Sequence, residues 1–460
     1  MNKYIQRILF LSLAACALML TSCKDEPDKY EIADGIPVVN YIRCLSSEVT
    51  SNTDTEDTHY TNGELVVSAY PSSTLCLVGE NLRSVVQIFF NDLEANLNTS
   101  YITDNTLIVN VPGNVPGEVS NKIYLVTASG QTVEVDFQVI ISGPTVSSMS
   151  CEYAAPGSTA TIYGGYIIDD PNQPLTVAFK NADGQDVLAQ NVVVASDYSS
   201  VSFTVPEDAA PGSIVVTSVY GATTAPFQYC DTRGLLFDFD GATGLGNHGW
   251  HDQVITSDET SLRSNFLRLG NGTATMDDST WDDGSFSFEY WAGSWNSPTD
   301  YPEREGVRLT DLADFSDLSN MAIKFELFVP SGNPWSAAAL QVIPAKVSEV
   351  SMGSEGTDIY GNAVAGCNNT FISGEDCPRA LYRPWTTTAS GSYDTGDQWV
   401  TVTLPITSTF LYGYSGASAK NEIKSDSFAS LTFFLCGGGV AGTACTPILK
   451  IDNIRAVPYK

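Results

Sequence analysis

Apolar and polar residues alternate with a period of two over most of the chain beyond its amino-terminal stretch. In VEVDFQVII, Val133, Val135, Phe137 and Val139 fall on one face and Glu134, Asp136 and Gln138 on the other. That is the period of a half-buried strand. The run stops at Ser142-Gly143-Pro144, a punctuation that predicts a domain boundary. Short β-branched runs bounded by Gly, Pro, Asn and Asp recur to the carboxyl terminus, and the helical period is nearly absent, so the predicted class is all-β. In FSFEYWAGSW, Phe286 and Phe288 share a face of a predicted strand. Tyr290, Trp291 and Trp295 arrive as the chain enters Ala292-Gly293-Ser294, which predicts large rings at a strand end and loop.

The strands of the amino-terminal half repeat. LVGENL (residues 77–82) and IYGGYI (162–167) each precede an apolar strand, QIFFND or TVAFKN. LIVNVPGNVPG and VSFTVPEDAAPG then each precede a strand of the form KIYLVT or SIVVTS. Pro112 matches Pro206, and Pro116 matches Pro211, at about 95 residues, the length of one immunoglobulin-like sandwich. The pattern resembles the IPT/TIG immunoglobulin-like family, whose modules serve mostly as spacers. Two such domains are expected, 37–142 and 143–229.

All seven tryptophans lie after residue 230. The shift begins at LLFDFDG (235–241), and a third segment, 230–460, closes with LKIDNIRAVP (449–458). FDFDG and IDNI resemble the first and last strands of jelly-roll carbohydrate-binding modules, so a carbohydrate-binding-module-like β-sandwich is expected here. By the same resemblance Asp238, Asp240 and Asp452 are candidate ligands of a structural calcium, whose hard oxygen preference they suit.

The amino terminus changes the compartment. Lys3 and Arg7 precede an apolar run from Ile8 to Leu20 that is too short to span a bilayer stably and reads as a secretory signal, 1–22. Leu20-Thr21-Ser22-Cys23 resembles the lipobox of bacterial lipoproteins, which implies lipidation of Cys23 and an anchor linker over 23–36. The acidic Lys24-Asp25-Glu26 that follows resembles the surface-export signal of Bacteroidetes lipoproteins, which implies the outer face of the outer membrane. The formal net charge of -31 excludes nucleic acid as a ligand and favours a neutral or cationic one. Ten cysteines scattered over 460 residues form no disulfide scaffold and no zinc motif, although Cys367 with Cys377 and Cys436 with Cys445 are close enough in sequence to pin loops.

The candidate chemistry is aromatic. A neutral pyranose presents polarised C–H groups on one face and hydroxyls around its rim, so its receptor uses flat rings flanked by planar polar groups. Trp250, Trp281, Tyr290, Trp291, Trp295, Trp335, Tyr382 and Trp385 sit among Gly, Pro, Ser or Asp, the usual company of loops. Arg383 and Gln341 are candidate partners for sugar hydroxyls, and His248, His251 and Asp252 bracket Trp250. Trp399, inside the alternating strand QWVTVTLP, is expected in the core.

Lipobox, acidic patch, tandem immunoglobulin-like modules and an aromatic-rich carboxy-terminal sandwich together resemble the type-B surface glycan-binding lipoproteins of Bacteroidetes polysaccharide-utilisation systems. The resemblance implies non-catalytic capture of xyloglucan or a related β-glucan, with Trp250 and the Tyr290-Trp291 pair as the platform. It also implies a place beside an outer-membrane glycan importer and its glycan-binding lipoprotein. Two other readings stay open. A glycoside hydrolase or lyase needs a pair of carboxylates, and Glu289, Glu303 and Glu305 lie near the aromatic cluster, but no motif sets any of them beside a second acid. A surface adhesin would use the acidic modules.

Overall fold

The computed structural model describes residues 30–46, 63–246, 249, 251–291, 308–346, 355–357, 363–365 and 370–459. These residues fall into two compact units: one runs to Ser142 and includes Asp170–Asn172, and the other holds the remainder. Most of the named elements are strands, and the rest are helices of three to five residues.

The first unit is a sandwich of two four-stranded antiparallel sheets. One is ordered Glu64–Leu65, Val38–Ser46, Thr74–Glu80, Thr106–Asn110; the other Leu93–Ala95, Val85–Phe90, Lys122–Thr127, Thr132–Asp136. Leu75, Leu77, Ile88, Phe90, Leu107, Ile123 and Leu125 fill the space between them. The VEVDFQVII run keeps its period but is divided in two. Val133 and Val135 are half-buried in Thr132–Asp136, while Val139 is buried in Gln138–Val139, which pairs in parallel with Ser68–Ala69.

The second immunoglobulin-like sandwich repeats this plan with sheets ordered Thr145–Met149, Thr159–Gly165, Ser200–Thr204, Gln190–Val194 and Asp186–Leu188, Thr176–Lys180, Ala210–Ser218, Gly221–Tyr229. The repeated glycine has a steric cause. A Cβ at Gly79 would lie 1.7 Å from the Val38 carbonyl oxygen, and one at Gly164 would lie 1.8 Å from that of Thr145. In both modules the first strand crosses so closely that only glycine fits.

The carboxy-terminal sandwich shares the second unit. Its six-stranded sheet runs Val254–Thr256, Phe266–Leu269, Leu449–Pro458, Met321–Phe328, Val400–Pro405, with Leu235–Phe237 also paired to Leu449–Pro458. The opening and closing strands therefore pair directly, Leu235 opposite Arg455 and Phe237 opposite Ile454. The facing four-stranded sheet is ordered Ser287–Tyr290, Ser430–Cys436, Ala339–Ala345, Ala380–Tyr382.

Residues 143–229 do not stand apart from this sandwich. Glu152 of the immunoglobulin-like module accepts hydrogen bonds from Lys324 Nζ (2.6 Å) and Arg455 Nη2 (2.8 Å), and Arg455 also grips Glu326 at 2.8 and 3.1 Å. All four charged groups are buried, and they balance to zero. The Arg455 guanidinium lies 4.8 Å from the centre of the Tyr153 ring. Thr401 ties the same seam, accepting from the Glu152 N–H at 2.7 Å and donating to Glu326 at 3.0 Å. Phe266, Phe328 and Trp399 pack in one hydrophobic cluster with Phe179, Phe227 and Tyr229 of the module. Trp399 is a core residue, its Nε1 donating to the Thr260 carbonyl at 2.6 Å.

Candidate functional site

Residues opposite one another in a ladder share a face, so the register of the four-stranded sheet separates its two sides. Phe288, Phe433, Val342 and Ala380 lie on the side that meets the six-stranded sheet, with Tyr290 and Leu431 following and Tyr382 in line with Leu340 and Leu435. Ring contacts confirm this: Phe288 meets Phe237 at 5.0 Å and Phe433 meets Phe325 at 5.3 Å, both edge to face. The opposite, outer side carries Ser287, Phe434, Gln341 and Leu381 in one row and Glu289, Thr432 and Ile343 in the next. An outer face normally meets water. This one carries the buried polar residues Ser287, Glu289, Gln341, Arg379, Ser430 and Thr432, because loops pass over it.

Several expected platform rings take other roles. Tyr290 is two residues from Phe288 and so falls on the same inner face, where it packs at 5.4 Å against Phe237. The strand runs through Tyr290, further than the expected loop edge. Trp291 lies next along the outer side but is fully buried, its Nε1 donating to Thr432 Oγ1 at 3.1 Å. Trp335 and Trp385 are also core residues, with indole N–H groups spent on the carbonyls of Ala337 (2.7 Å) and Ala338 (2.9 Å). A ring with no exposed face cannot stack on a pyranose, so these four are packing residues. Tyr382 is partly exposed yet mostly engaged in the core, against Phe325 and Trp335. Burial, with Tyr393 alongside, pushes its hydroxyl well above the usual phenol range. Arg383, partly exposed, donates to the Gly438 carbonyl. Trp250, Trp295, His248, Glu303, Glu305, Cys367 and Cys23 lie outside the described residues.

Gln341 is also committed. Its Nε2 donates to Cys436 O (2.8 Å) and Tyr414 O (3.4 Å), and its Oε1 accepts from Arg379 (3.0 Å). Arg379, completely buried, donates further to the carbonyls of Ile372 (2.6 Å), Gly374 (3.1 Å) and Cys377 (3.3 Å). These residues fasten a covering loop to the sheet.

Trp281 is 44% exposed, whereas the other described tryptophans are buried. It stands on the outer face, meeting Phe434 at 5.0 Å and 89°, and Tyr414 at 5.9 Å and 52°. Its surroundings are acidic but occupied. Asp282 caps the Ser285 N–H at 3.0 Å, Asp283 meets His251 at 3.1 Å, and both Asp278 oxygens accept from Gly442 N–H. Residue type alone does not single out this ring among the candidates, since Trp-Asp-Asp-Gly suits a packed turn and a presented ring equally.

No group of three or more His, Cys, Asp or Glu able to hold a metal occurs among the described residues. Of the candidate calcium ligands Asp238, Asp240 and Asp452, the first two accept hydrogen bonds within the protein. Asp238 Oδ1 accepts from the N–H groups of Asp240, Gly241 and Ala242, and Asp240 Oδ1 from Asn265. Burial, then the neighbouring Glu326, Asp240 and Asp238 charges, push Asp452 up to about 8, while the Asn453 N–H works the other way. Cys436 and Cys445 are both free thiols, so the 436–445 loop is pinned otherwise. There the Ser336 N–H donates to Cys445 Sγ.

The fold places the chain in a class: immunoglobulin-like modules followed by a sandwich of the carbohydrate-binding kind. Residues 229–458 match the family model described as the surface glycan-binding protein B xyloglucan binding domain, half of the chain, and the protein belongs to this family. It is similar to the surface glycan-binding protein PbSGBP-B from Prevotella bryantii, a solved structure, at 43% identity and a TM-score of 0.78, over 93% of this chain and all of that one. An IPT/TIG domain-containing protein of Bacteroides ovatus is 25% identical over 232 residues, 47% of this chain. The chain spans 43% of that relative's length.

Proposed function

We propose that this protein holds a neutral plant β-glucan, xyloglucan or a mixed-linkage glucan, at the cell surface without cleaving it, for capture ahead of import. The observation that carries this reading is the match of residues 229–458 to a xyloglucan-binding domain family. That segment contains every tryptophan of the chain. The net charge of -31 supports it by disfavouring polyanionic ligands. The lipid on Cys23 would anchor the chain to the outer membrane beside a glycan importer and a second glycan-binding lipoprotein. Trp250 and Trp295 would stack on the glycan, and Arg383 would hydrogen-bond its hydroxyls.

Affinity electrophoresis of the mature chain through gels containing xyloglucan, mixed-linkage β-glucan, galactomannan or starch tests this, with reducing-sugar release measured in parallel. Retardation by a β-glucan without release is expected. Release of sugar would make the protein an enzyme, and retardation by starch alone would give it a different ligand.

A further inference from the structure

The structure also offers a binding position that the match to the family does not specify. It rests on the glycan-binding reading above. Trp281 and Tyr414 come from segments more than a hundred residues apart, yet both meet over Phe434 on the outer face. Their frame is built to close tolerance. The Tyr414 backbone is held from two sides, its N–H donating to Gly374 O (3.3 Å) and its carbonyl accepting from Gln341. Glu375 Oε1 accepts from the next residue, Ser415 N–H, at 3.0 Å.

Beneath this turn runs Gly437-Gly438-Gly439, all with positive φ. A Cβ at Gly438 would lie 2.5 Å from Ala339 Cβ, and one at Gly439 would lie 2.1 Å from Ser415 O. The triple glycine therefore lets the strand end pass directly under the Tyr414 turn. On the other side, the Trp281 turn is fixed by Asp277 accepting from Ser279 and Thr280 and by the Asp282 cap. An exposed indole held this firmly loses little freedom on meeting a ligand.

We infer that Trp281, backed by Tyr414, forms a subsite that stacks against one neutral pyranose ring of the bound glycan. Asp278, Asp282 and Asp283 flank the ring in sequence and disfavour uronic acids at this position.

The test compares wild-type mature chain with Trp281→Ala and Trp281→Phe, using xyloglucan in native gels and a xylogluco-oligosaccharide in calorimetric titration. Trp281→Ala is expected to weaken binding about tenfold. Trp281→Phe keeps a ring against Phe434 and is expected to lose about threefold, a smaller share of the same contact. It stands in if the alanine variant lowers the thermal midpoint. Ligand-induced change in tryptophan emission should shrink in both. If wild type binds and both variants bind equally well, the subsite is wrong and the family reading stands. If wild type binds no neutral glucan, the reading and the subsite fall together.

Discussion

Arg455→Met removes the cation that joins Glu152 to Glu326. In the native chain Arg455 makes two contacts with Glu326, one with Glu152 and one with the Asn453 carbonyl, all between 2.8 and 3.1 Å and with no solvent exposure. Methionine fills most of the volume but leaves two buried carboxylates sharing Lys324, a net negative charge in an apolar seam. Breaking a buried pair in this way costs about 3–5 kcal/mol. The cost should depend on pH. Burial raises the Glu326 carboxyl above its ordinary value, and Arg455 is the principal group holding it down. Without Arg455 its folded-state pKa rises further. A raised carboxyl binds its proton more tightly folded than unfolded, so stability falls as pH rises through the window between the two values. The variant should therefore be least impaired near pH 5 and most impaired near pH 8. Tryptophan emission during urea unfolding is the assay, because every tryptophan lies in the carboxy-terminal segment. A loss under 1 kcal/mol at pH 8, or a loss independent of pH, would refute the argument that this cluster locks the immunoglobulin-like module to the sandwich.

Other expectations follow from single residues. Asp452→Asn removes a buried acid whose pKa is pushed up to about 8. Wild-type stability should fall from pH 4 to pH 8 as this group is forced to ionise, and the variant should be more stable by roughly 2 kcal/mol at pH 9, read from urea midpoints. Trp291→Ala should cost about 3–5 kcal/mol in stability with or without glycan, since its ring is buried; an unchanged midpoint with lost binding would return it to the platform. Gly438→Ala, at φ +94 with Ala339 Cβ at 2.5 Å, should lower stability by about 1–3 kcal/mol, and an unaltered melting curve would count against the tight seat under Tyr414.

The fold was largely legible because strand parity and turn chemistry are local. The alternation in VEVDFQVII, the paired Gly79 and Gly164, and the bracketing FDFDG and IDNI strands each carry their own geometry. The site was less legible because exposure is not local. Tyr290 and Trp291 differ by one position, so pleating sends one to the core and the other to the outer face, and adjacency in sequence made them look like one surface. Trp335 and Trp385 sit in loop-like composition, but their indole N–H groups meet carbonyls two and 47 residues away. Only the second of these partners is remote, and neither is marked by residue type. Trp281 becomes distinctive only when Phe434 and Tyr414 arrive from over a hundred residues downstream. The fusion of 143–229 with the last sandwich was equally hidden, since Glu152, Lys324, Glu326 and Arg455 are ordinary surface residues until the chain brings them together.

The central claim is glycan capture, and calorimetric titration of the mature chain with a neutral xylogluco-oligosaccharide addresses it most directly. The account predicts saturable binding with a dissociation constant in the rough range of micromolar to millimolar, and no new reducing ends. A folded chain that gives no binding signal with any neutral β-glucan oligosaccharide, or one that cleaves it, would contradict the account.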